Sequence, residues 1–180
     1  MTFDLPTRFL ERSRHYLGVE YPAKIRLALG AIPADRLWWR PNAESNSAGN
    51  LVLHLTGNVR QWIVSGVGGA PDHRVRDAEF SASGGPDHAK LLDGLDAACR
   101  DATNVLANLS AASLGEARTI QGRETTVFAA VYHVVEHFSG HTGQIILMAK
   151  SFSPGGVRFY DDAGGLARPL WLPEGSSDID

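Results

Sequence analysis

Residues 132–150 read YHVVEHFSGHTGQIILMAK. His133, His137 and His141 recur at every fourth position, and residues four apart lie one turn apart on one face of an α-helix. Val134, Val135, Phe138, Ile145, Leu147 and Met148 occupy the other faces. The stretch therefore reads as a helix that is apolar nearly all round except for a histidine stripe. Burying such a stripe is costly unless its polar atoms find partners or a metal, and adjacent imidazoles on it are placed to converge on a single ion. Gln144, three positions after His141 and seven after His137, lies beside the stripe and could orient a ligand or a bound water. Ser139, Gly140 and Gly143 leave room near His141 where bulkier side chains would close the site.

Outward from this helix, Thr125 or Thr126 offers a hydroxyl to cap its start, and its pattern runs to Lys150. Upstream, LVLHLTGNVRQWI (51–63) sets His54 in a similarly apolar helical stretch, with Gly57, Asn58 and Gln61 on its side at spacings of three, four and seven. Ser45, Asn46 and Ser47 offer caps for that helix, and Gly66, Gly68 and Gly69 stop it after about Ser65. A third helix opens at Pro86 or Asp87 and keeps one apolar face from Leu91 to Leu109. Phe9, Leu10, Leu17, Ile25 and Leu29 mark a first helix, kinked or broken where Pro22 interrupts it. Four helices, each on the order of 30 Å long, predict an all-α four-helix bundle, and nothing reads clearly as a sheet. The connection APDHRVRDAEFSASGG (70–85) is long for a structureless loop and is a candidate cover for a site. The tail from Ser151 is rich in Gly and Pro and reads as irregular.

A length of 180 residues, 43% of them hydrophobic, suits one core and predicts a single domain over 1–180. The 17 basic and 20 acidic residues are interspersed and leave a formal charge of −3, which offers no broad basic surface for nucleic acid. MTFDLPTRFLERSR meets charge too early for a signal core, and no stretch approaches the roughly 20 apolar residues of a membrane span. A cytoplasmic protein without a membrane partner is the expectation. The one cysteine, Cys99, forms no internal disulfide and no thiolate cluster, so any metal must be held by imidazole and oxygen. Two histidines from the 132–150 helix and His54 would make a three-His set with at least one position open to water or substrate, as in catalytic sites.

The segments SNSAGNLVLHLTGNVRQWI (45–63), HRVRDAEF (73–80) and HVVEHFSGHTGQI (133–145), in this order and spacing, resemble the DinB-like (YfiT-like) four-helix-bundle metalloproteins over nearly the whole chain. The resemblance implies helices arranged up-down-down-up and metal ligands at His54, His137 and His141, with His133 a near neighbour outside the ligand set. Asn58, Gln144, His133 and Glu136 are the side chains expected to flank the metal. It also implies a divalent metal, zinc or nickel, and frequent homodimers. Characterised relatives use a low-molecular-weight thiol such as bacillithiol or mycothiol in S-transfer or isomerisation. Metal-activated thiol transfer to a small electrophilic molecule is thus the leading expectation, with metal-dependent hydrolysis of a small substrate or a non-catalytic metal-binding bundle as alternatives.

His133 to His137 also spells H-x-x-E-H, in which Glu136 would be a general base and both histidines ligands. That pattern needs an acidic ligand downstream, where Asp161, Asp162, Glu174, Asp178 and Asp180 follow, most of them in the polar tail. Glu136 is offset from His137 by about 100°, which better suits a salt bridge or a contact behind a ligand. The paired Glu-x-x-His spacing of di-iron bundles does not occur. Cys99, on the apolar face of the third helix, reads as core rather than nucleophile. Arg74 and Arg76 alternate with Asp72, Asp77 and Glu79, as in a salt-bridged loop, and Trp38 and Trp39 read as the cap of a helix junction.

Overall fold

The computed structural model describes residues 4–172 except Leu166. Helix α1 has Pro6 in its first turn and runs Leu5–His15, passes through a π-helical turn at Tyr16–Glu20, and continues as Tyr21–Ala31. That turn replaces the break expected at Pro22. A proline has no N–H to give the preceding turn, and the ladder widens just before it, the Tyr21 N–H reaching back five residues to the Tyr16 carbonyl.

Helix α2 opens on a capping box: Ser47 Oγ accepts from the Asn50 N–H at 3.1 Å, and Asn50 Oδ1 accepts from the Ser47 N–H at 3.0 Å. It runs Ala48–Val59 and ends in a second π-helical segment, Arg60–Val67. The connection that follows is not structureless: it carries the short helix α3 (Arg76–Ser81), tied down by Asn50 Nδ2, which donates to the carbonyls of Glu79 and Ala82 at 2.8 Å each. Helix α4 (His88–Ala107) is capped by Asp87. The absence of a sheet in the sequence pattern is corrected by a small hairpin, β1 (Ala117–Ile120) with β2 (Arg123–Thr126), whose turn residues Gln121 and Gly122 both take positive φ, 54° and 72°. Two left-handed residues are what a two-residue hairpin turn needs. Helix α5 (Val127–Phe152) starts on Thr126, whose Oγ1 accepts from the Ala129 N–H. In the tail, β3 (Tyr160–Asp161) pairs with β4 (Arg168–Pro169), and Val157, Phe159 and Leu172 are buried, so this segment packs on the bundle. Glu174, Asp178 and Asp180 lie outside the described residues.

The helix directions follow from what meets at each end. Phe9 and Phe128 meet at the starts of α1 and α5, their ring centroids 4.7 Å apart, and Ser153 Oγ donates to the Ala31 carbonyl at the other ends, so these two run together. Helix α4 runs against α1, since His88 at its start lies 3.0 Å from the Ile32 carbonyl and Thr103 near its end packs on Gly18. Helix α2 runs with α4: Gly68 packs on Val105 at their ends, while Trp38 lies against Gly49 and Gly85 at their starts. The order is up-down-down-up, as the family resemblance implied. Two parallel neighbours need a connection as long as a helix, which accounts for the crossover between α2 and α4.

Helices α1 and α2 each pack on α4 and α5. Leu17, Leu55, Leu95, Phe138 and Ile145 are fully buried between them, and Cys99 is core as expected. Helix α5 is less apolar in its surroundings than its sequence suggested: Leu147 is exposed, as are Glu136, Ser139, Gly140 and Gly143. Among the described residues no helix is long and apolar enough to cross a membrane.

Candidate metal centre

His54 on α2 faces His137 and His141 on α5 across the seam between these antiparallel helices. One ring nitrogen from each of the three lies within 4.8 Å of the other two, and the Nε2 atoms of His54 and His137 are 2.8 Å apart. The rings stand edge to face, with centroids 4.4 to 5.1 Å apart. Two nitrogens on a tetrahedral zinc, each at about 2.0–2.1 Å, are separated by about 3.3 Å.

Hydrogen bonds orient two of the rings. His54 Nδ1–H donates to Glu79 Oε2 at 2.9 Å, and His141 Nδ1–H donates to Gln144 Oε1 at 2.8 Å. With the proton on Nδ1, each Nε2 turns its lone pair toward the centre, where that of His54 accepts from His137 Nε2–H. Glu79 is in turn gripped by Arg74, whose Nε donates to Oε1 at 2.7 Å and whose Nη2 donates to Oε2 at 2.8 Å, the bidentate geometry that favours a guanidinium–carboxylate pair. Arg74 Nη2 also lies 3.1 Å from His54 Nδ1. An arginine only donates, and the Nδ1 proton is directed at the carboxylate, so this approach follows from both groups sharing Oε2.

Burial acts to raise the Glu79 carboxyl, but the hydrogen bonds from Arg74 and His54 and the charge of Arg74 more than offset it and hold it below its ordinary value. His137 is pushed down to about 3, by burial first and then by the neighbouring His141, His54, His133 and Arg74. His141 is lowered chiefly by burial, against the opposing Gln144 hydrogen bond. These two imidazoles are therefore neutral near pH 7, the form in which nitrogen binds metal.

The remaining expected residues divide. Gln144 touches the cluster. Asn58 lies one turn beyond His54, only 3% exposed, and its Oδ1 has no hydrogen-bond partner among the described residues. Trp62, a turn further, leaves its Nε1 in the same state. His133 stays outside the cluster: its ring packs on Trp62 at 4.3 Å and lies 5.3 Å from His137, with burial lowering its pKa. Glu136 is exposed. The H-x-x-E-H arrangement is thus not assembled, because its first histidine and its glutamate are not in the set that converges.

Sequence reasoning missed Glu79 and Arg74 as partners of the site. Their alternating charges gave only a salt-bridged loop, which is correct for the pair itself, but nothing in the spacing ties Glu79 to a histidine 25 residues upstream. The connection packs on the cluster from the α2 side, the Phe80 ring centroid lying 4.6 Å from that of His54.

A family model described as a protein of unknown function (DUF1572) matches residues 4–159. Among solved structures, the chain is similar to the crystal structure of a DinB-like protein from Bacillus subtilis, with 19% sequence identity and a TM-score of 0.58, covering 80% of this chain and 90% of that one. This likeness is one of fold. No curated protein matches the chain.

Proposed function

The chain belongs to the DUF1572 family, which is DinB-like, and from that premise we propose that His54, His137 and His141 hold a divalent metal, zinc or nickel, in an enzyme that brings a low-molecular-weight thiol to a small electrophile. The observation that carries this reading is the convergence of three imidazole nitrogens within 4.8 Å, with two of the rings turned by acceptors that leave Nε2 facing the centre. Imidazole donors suit zinc and nickel. Bound there, such a cation supplies a Lewis acid beside which a thiol or a water loses its proton near neutral pH.

The chain's own residues bear on the choice between thiol transfer and hydrolysis. Cys99 is buried and its thiol is pushed up to about 12, chiefly by burial, so a reacting sulfur has to come from outside the chain, as from bacillithiol or mycothiol. Hydrolysis would gain from a carboxylate base directed at the centre. Glu136 is exposed, and Glu79 is occupied by Arg74 and His54, so transfer is the better supported of the two. Asn58 Oδ1, one turn from His54 and buried without a hydrogen-bond partner among the described residues, is an acceptor open to an incoming proton-bearing group.

Elemental analysis of the purified protein with its His54→Ala and His137→Ala variants tests the site. Near-stoichiometric metal in the wild type and its loss from both variants is the expected result; full retention by both would overturn the ligand set. Incubation of the metal-loaded protein with glutathione, bacillithiol or mycothiol and a generic electrophile tests the chemistry. Thioether formation that requires the metal supports transfer, whereas metal-dependent ester cleavage without thiol would favour hydrolysis.

A further inference from the structure

We infer that Glu79, seated by Arg74 against Gly57, is the positioning residue of His54, so that the affinity of the three-His site for a divalent cation is set from the crossover between α2 and α4. The inference rests on the metal-site reading above and adds to it a part of the molecule that contributes no ligand.

The contact that singles out this arrangement is at Gly57. A Cβ built there would lie 1.9 Å from Glu79 Oε1 and 2.9 Å from Arg74 Nε. A side chain at 57 would make the ion pair shift from its seat on α2, one turn from His54, where the carboxylate reaches Nδ1. The pair is well enclosed, the Arg74 side chain 3% and the Glu79 side chain 10% exposed. It is also fixed from several directions: Arg74 Nη1 donates to Gln61 Oε1 at 2.9 Å, and Asn50 Nδ2 holds the Glu79 carbonyl at 2.8 Å. A buried ion pair is weak evidence of stabilisation, because desolvation opposes the attraction. Here its geometric outcome is specific, since Glu79 Oε2 accepts the hydrogen bond of His54 Nδ1–H and leaves Nε2 2.8 Å from His137 Nε2. A carboxylate behind a ligating imidazole fixes its ring and makes the opposite nitrogen a better donor, and loss of such a partner typically lowers metal affinity about 10- to 100-fold.

The test uses the full chain stripped of metal, with Zn²⁺ affinity measured by chelator competition and the ligand field read from Co²⁺ absorption. Glu79→Gln and Gly57→Ala are compared with wild type. A loss of about 10-fold or more in Zn²⁺ affinity in both, with an altered Co²⁺ spectrum, supports the inference. Gly57→Ala is the sharper arm, because it leaves every ligand and charge in place and favours the helix, so a purely structural role for position 57 predicts no loss. It also decides alone if Glu79→Gln does not fold. Long-range ¹⁵N–¹H spectra of the metal-free protein read the tautomer directly: His54 should carry its proton on Nδ1 in wild type and lose that preference in Gly57→Ala. Zn²⁺ affinities within twofold of wild type in the folded variants would overturn the positioning role while leaving the three-His site intact. A wild-type chain that binds neither Zn²⁺ nor Co²⁺ would overturn the metal-site reading and this inference with it.

Discussion

At the scale of single residues, the histidines give the metal-free protein a directional response to pH. His137 ionises at about 6.5 when free of the fold but only at about 3 within it. Below pH 6.5 the unfolded chain therefore takes up a proton that the folded chain refuses, and stability that is complete above this range is lost progressively as pH falls toward 3. His141 and His133 are shifted in the same direction. Glu79 acts with the same sign for the opposite reason, since its lowered carboxyl contributes above its ordinary range and that contribution disappears as pH falls through its folded value. The melting temperature of the apoprotein should drop between pH 7 and pH 4, and His137→Phe should flatten the slope. An equally steep slope in the folded variant would show that His137 is not the group responsible.

At the scale of elements, one side chain joins two of them. Asn50 caps α2 through its Oδ1 and holds α3 through its Nδ2. Asn50→Asp keeps the cap and removes both donations, leaving the buried Glu79 carbonyl without that partner. An unsatisfied buried group costs about 1–3 kcal/mol, and urea unfolding should show a loss of about 2 kcal/mol. A loss below a few tenths would mean that α3 is held by other means. The same elements show what a sequence discloses. Ser47, Asp87 and Thr126 each stand where a helix was expected to begin, because capping depends on a side chain and an N–H two or three residues away. The π-helical turns were not legible, since a one-residue shift of register leaves the apolar pattern on either side intact. Helix α3 is six residues long, too short for a periodic signal, and owes its place to Asn50 and to Arg40, which donates to the carbonyls of Phe80 and Ala82. The hairpin strands are four residues each, ARTI and RETT, and lack the alternation that marks a half-buried strand.

At the scale of the molecule, the proposed ligands come from α2 and α5, so binding should be felt by the whole fold. A ligand that binds only the folded state stabilises it by about 4 kcal/mol at a thousandfold excess over its Kd. Zn²⁺ should therefore raise the melting temperature of the wild type, a chelator should reverse the shift, and His54→Ala should abolish it. A wild-type melt indifferent to Zn²⁺ would count against the site. The His137–His141 pair was legible because its spacing lies within one helix, His54 was joined to it by its similarly apolar helix and the family resemblance, and Glu79 and Arg74 entered through the packing of a distant segment. The seam also carries its own optical reporter. Four tryptophans are present, and Trp62 lies with its ring 4.3 Å from that of His133, itself 5.3 Å from His137. An open-shell ion such as Ni²⁺ or Cu²⁺ that close should quench the emission of this indole, closed-shell Zn²⁺ should not, and Trp62→Phe should remove most of the quenching. Occupancy of the three imidazoles could then be followed in real time by ultraviolet fluorescence, with no label added to the chain.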